Sequence, residues 1–101
     1  MARSLVIAPF AQEGIRELPR DSVLLASVFR RLEEAADDPE RFTEPGVYPV
    51  PVDRRMMNFA ASDLAGRPWH FTVVVAVTDA TLEVRVIRGA QYALPPGSDD
   101  E

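Results

Sequence analysis

The sequence predicts an α+β domain. Its elements run β-α-α-β-β-β, with a helical hairpin packed on one face of a small, mostly antiparallel sheet. Three observations predict it. Leu25, Val28, Phe29, Leu32, Ala35 and Ala36 recur at the three-to-four spacing of one helix face. From Phe71 to Val86 the period drops to two, as in strands. Prolines at 9, 19, 39, 45, 49 and 51 divide the first half of the chain into short pieces.

Each element follows in order. Leu5-Val6-Ile7-Ala8 is short, apolar and β-branched, and reads as a buried strand. Pro9 suits the first position of a helix, where its missing N–H has no intrahelical partner to lose. Ala11, Gly14, Ile15 and Leu18 then share one face, and Pro19 ends that helix. Asp21 or Ser22 caps the second helix, which runs to about Asp37 with Arg30, Arg31, Glu33 and Glu34 on its solvent side. Residues 39–52, rich in proline, read as a loop. Alternation begins near Val52, with Arg55, Met57 and Phe59 opposite Met56, Asn58 and Ala60. Asp63 to Pro68 reads as a turn. Trp69 to Thr78 is mostly apolar on both faces, which predicts a central strand. A closing strand sets Leu82, Val84 and Val86 against Glu83, Arg85 and Ile87. The expected domain is residues 1–94, followed by a disordered acidic tail at 95–101.

Composition sets bounds on function. A chain of 101 residues has room for one core. It has no cysteine and one histidine, which excludes disulfides, thiolate chemistry and multi-histidine metal sites. No apolar run approaches the ~20 residues of a membrane span, and the apolar patch near the N-terminus is too short for a signal-peptide core. The expected location is the cytoplasm, away from membranes. All eleven basic residues are arginine, and the net charge is −5. Residues 10–46 carry nine acidic residues and five arginines, whereas 47–92 carry four and five. A negative molecule is repelled by nucleic-acid backbones at long range, but a local group of arginines still binds one phosphate at close range.

Four stretches together resemble the RelE/ParE toxins of bacterial toxin–antitoxin modules. They are Leu5 to Ala11, Leu32 to Pro39, Phe71 to Asp79, and Val84 to Tyr92 with its terminal Arg88-x-x-x-Tyr92. The resemblance spans about residues 5–92 and rests on order and spacing. It implies an antitoxin-like protein partner and, in ribonuclease members of the family, action on mRNA at the ribosome. Other members inhibit gyrase or have neither activity. Two departures stand out. Many relatives are basic, and ribonuclease members often carry an arginine at the start of the third strand, where this chain has Thr72 preceded by His70 and Phe71.

Metal-free RNA cleavage needs a base, a cation on the phosphate and an acid. The resemblance makes Arg88, Tyr92 and His70 the candidate catalytic residues. Arg88 would hold the phosphate through its planar fork. Tyr92 would move a proton or stack on a base, and His70 has the pKa range for proton transfer near neutrality. Arg54, Arg55 and Arg67 are the candidate substrate-binding residues. Each has a plainer reading: Arg88 as a strand-end charge, Tyr92 as a lid on the sheet edge, His70 as a packed neighbour of Trp69, and the arginines as solvated loop or strand ends. No metal and no cofactor are implied. Two further expectations stand beside the nuclease: a non-catalytic protein-interaction module on the same fold, and a homodimer joined through apolar sheet faces.

Overall fold

The computed structural model describes residues 3–47, 49–51 and 53–91. Its elements are β1 (Ser4–Ile7), α1 (Pro9–Arg16), α2 (Ser22–Asp37), α3 (Pro39–Phe42), β2 (Glu44–Pro45), β3 (Arg55–Ser62), β4 (Pro68–Val77) and β5 (Thr81–Gln91). The five strands form one mixed sheet in the order β1-β5-β4-β3-β2. The chain is therefore α+β, with β3, β4 and β5 as an antiparallel meander and β4 in the centre. β1 lies parallel to β5, pairing Ser4 to Ile7 with Thr81 to Val84.

α1 and α2 cover one face. Leu24, Val28, Leu32 and Ala35 of α2 are fully buried against Phe71, Val73, Val75, Leu82 and Val84 of the sheet, and Ala11 of α1 joins the same core. The expected stripe of α2 holds at Val28, Leu32, Ala35 and Ala36. Leu24 replaces Leu25 at its centre, and Leu25 and Phe29 pack at the margin.

Two expectations are corrected. Residues 39–52 are not all loop, because Asp38 caps the short α3 by accepting from the Arg41 N–H at 3.3 Å, and Glu44–Pro45 pairs with Met56 and Arg55 as β2. Pieces of four and two residues are too short to leave a periodic signal. The closing strand does not alternate evenly, because its register against β4 shifts between Val74 and Val75. Val75 faces Val84 but Val74 faces Val86, so Arg85 is the extra residue of a β-bulge. Val86 turns to the open face, and Ile87 takes the buried place. Boundaries also move slightly: β1 starts at Ser4, β3 at Arg55, β4 at Pro68, and β5 runs on to Gln91. The tail at 95–101 lies outside the described residues.

Two carboxylates organise the β3–β4 turn, and one of them, Asp21, also ties it to α2. Asp21 caps α2 by accepting from the Leu24 N–H at 3.0 Å, and its other oxygen accepts from the Leu64 N–H at 2.9 Å. Asp63, almost wholly buried, accepts from the Trp69 indole at 3.0 Å and from the Arg67 N–H at 2.9 Å. The Leu24 and Leu64 amides hold the Asp21 carboxyl below the ordinary range. The Trp69 indole does the same for Asp63, helped by the Arg67 amide and charge and opposed by burial. Both groups bind protons less readily folded than unfolded, so the unfolded chain takes up more protons as acid is added. Their stabilisation is complete above the unfolded value of 3.8 and is lost as pH falls through the lowered folded values. Asp63→Asn is therefore expected to flatten the decline of the melting temperature below pH 4, followed by circular dichroism. An unchanged acid profile would count against this role.

Candidate functional site

β1 ends at Ile7, and Pro9 starts α1 two residues later. Beyond Val84, β5 therefore has a strand neighbour only on its β4 side among the described residues. α1 runs along the vacated edge. Its Gly14 sits so close that a Cβ there would lie 2.5 Å from the Ile87 carbonyl oxygen. Between α1 and this end of β5 is a hollow of about 520 Å³.

Phe10, Glu13 and Glu17 line the helix side of the hollow, and His70 and Arg88 line the sheet side. His70 pairs with Ala90 and Thr72 with Arg88, so His70 and Arg88 are diagonal neighbours on one face. Arg88 is exposed, and among the described residues its side chain has no hydrogen bond or ion pair. Glu13 holds Arg16 at 2.8 Å across one helical turn. Phe10 is 64% exposed at the rim. The hollow thus carries one guanidinium without a partner among the described residues, one imidazole, two carboxylates and an exposed ring. It suits a ligand with both charged and apolar parts.

The structure brings together only part of the expected site. His70 and Arg88 share the hollow, while Tyr92 lies outside the described residues. Arg54, Arg55 and Arg67 do not line it. Arg54 pairs with Asp53 at 2.8 Å. Arg55 donates through Nε to the Thr43 hydroxyl and through Nη2 to the Thr43 carbonyl at 3.0 Å, which pins the α3–β2 segment to β3. It faces Val75, five residues along β4 from His70 and so about 17 Å away. Arg67 donates to Asp63 at 3.2 Å within the β3–β4 turn. The sequence reasoning missed Phe10, Glu13 and Glu17. The four-residue spacing of the two glutamates was the available signal, since it sets them on one helix face.

No group of histidine and acidic side chains suited to a metal ion occurs among the described residues. No helix there is long and apolar enough to cross a membrane. No family model, curated protein or solved structure compared with this chain matches it.

Proposed function

We propose that this chain is a RelE/ParE-like toxin component of a toxin–antitoxin pair, and that it acts by gripping a protein target, with an antitoxin-like protein as its natural partner. The element order on which the resemblance rests is the element order of the fold, with α3 and β2 added. One observation carries the choice of binding over cutting. The three arginines expected to hold RNA are engaged by Asp53, Thr43 and Asp63, and the hollow that keeps Arg88 sets it among Glu13 and Glu17. Such a wall repels a polyanion and suits a protein segment bearing both signs of charge.

A second reading is favoured by the neighbouring positions of His70 and Arg88. In it the chain is a ribosome-dependent mRNA endoribonuclease. Arg88 pairs with the scissile phosphate, and His70 takes the 2′-hydroxyl proton or returns one to the leaving oxygen.

Induced expression in bacteria, with and without a co-expressed small neighbouring gene, separates these readings. The expected result is growth arrest relieved by the neighbour, with mRNA intact and with Arg88→Glu weakening the arrest through lost target binding. Cleaved mRNA that becomes intact in Arg88→Ala would transfer the assignment to the nuclease. Undisturbed growth under every condition would overturn the toxin reading itself.

A further inference from the structure

The far edge of the sheet bears on assembly, independently of the toxin reading. β2 pairs only with Arg55 and Met56, so among the described residues the rest of β3 has a strand neighbour on its β4 side alone. Exposed strand edges are commonly guarded by charge, proline, a bulge or brevity. β1 at the opposite edge is four residues long and is followed closely by Pro9. Asn58-Phe59-Ala60-Ala61-Ser62 has none of these in its own sequence: it is regular in register, uncharged and free of proline and glycine, and the Arg31 guanidinium of α2 lies 5.8 Å over the Phe59 ring on the helix-covered face.

The backbone direction of this edge follows from β2. The Gly46 N–H donates to the Arg54 carbonyl at 3.2 Å, and Glu44 faces Met56. The Arg54 carbonyl and the backbone groups of Met56 therefore turn outward, and so do those of Asn58, Ala60 and Ser62 at the same period of two.

We infer that this edge pairs with the same edge of a second copy of the chain, antiparallel about a two-fold axis at Ala60. In that register Asn58 faces Ser62 of the second copy, and Ala60 faces its own equivalent. On the helix-covered face Phe59 meets Ala61, a large side chain opposite a small one, twice. On the open face Asn58, Ala60 and Ser62 are exposed and small enough for close approach. The pairing ends where the β3–β4 turn of one copy meets β2 of the other. There Arg67, held through Nε by Asp63 at 3.2 Å but with a side chain 65% exposed, comes beside the exposed Glu44, which accepts from Asn58 at 3.4 Å through one oxygen. The two contacts are of opposite sign and are repeated by the symmetry, so the edge is complementary to itself in shape and in charge.

Light scattering after size exclusion, over a dilution series of the full chain, tests this. Twice the 11.2 kDa chain mass is expected at high concentration, with dissociation on dilution. Ala60→Glu places two carboxylates at the axis and is expected to halve the mass while the circular dichroism spectrum and thermal transition persist. Mixing Ala60→Glu with Ala60→Lys chains is expected to restore the doubled mass. A chain that stays monomeric throughout overturns the inference. So does a dimer that survives Ala60→Glu but is broken by Val86→Glu on the open face.

Discussion

Phe71→Ala is expected to lower the free energy of unfolding by about 3–5 kcal/mol. Phe71 is fully buried at the middle of the central strand. Its ring stacks on Phe59 at a centroid distance of 5.4 Å and on Trp69 at 6.4 Å. Its edge also fills the space over Gly89, where a Cβ would collide with it. Truncation removes the apolar contact and leaves a cavity between the sheet and the helices, with a lining that relaxes only in part. A domain of this size has a total stability of roughly 5–15 kcal/mol, so the loss takes a large share of it. Urea titration monitored through the single tryptophan, Trp69, measures the effect. A loss under about 1 kcal/mol would mean that the ring is not the centre of the core. Phe71→Leu keeps most of the volume and is expected to lose less.

Gly14→Ala is expected to destabilise the chain, although alanine is the better helix former. Inside a helix the exchange alone gains about 0.5–1 kcal/mol. Here the new methyl would stand 2.5 Å from the Ile87 carbonyl oxygen and 3.2 Å from the Ile87 side chain. The first obstacle is backbone, so it cannot swing aside as a side chain would. α1 must lift off β5, and overpacking of this kind costs about 1–3 kcal/mol. The net expectation is a loss of about 0.5–2 kcal/mol. Amide chemical shifts should change most at Ile87, Arg88 and Gly89, because the helix forms one wall of the hollow there. A gain in stability would show that α1 does not rest on the strand. The same variant bears on function, since widening this gap moves Glu13 and Glu17 relative to Arg88.

The bulge at Arg85 bears on the candidate site as well. Had β5 alternated without interruption from Leu82, position 88 would have faced the helices and position 87 the open side. The extra residue reverses that order. Arg88 consequently stands beside His70 on the open face, and Ile87 reaches the core under α1. The neighbouring positions of the only histidine and of an arginine whose side chain has no partner among the described residues are a product of the register shift.

α2 and β4 could be read directly from residue spacing, because each is long enough for burial to impose its own period: Val28, Leu32, Ala35 and Ala36 at helical intervals, Phe71, Val73 and Val75 at every second residue. The proline that opens α1 and the aspartate before α2 marked their starts, because capping chemistry is local in sequence. Other features depended on groups that meet only after folding. Arg55 is held by Thr43, twelve residues away, and Asp21 by Leu64, forty-three residues away. No local pattern shows that those partners are in reach. The register shift in β5 leaves no trace in the alternation of Leu82, Val84 and Val86, and the hollow exists because β1 stops short and a glycine lets α1 approach the exposed edge. Spacing along the chain determined which faces are apolar; the three-dimensional arrangement decided which charges remain unsatisfied, since a charge is neutralised by whatever lies near it in space.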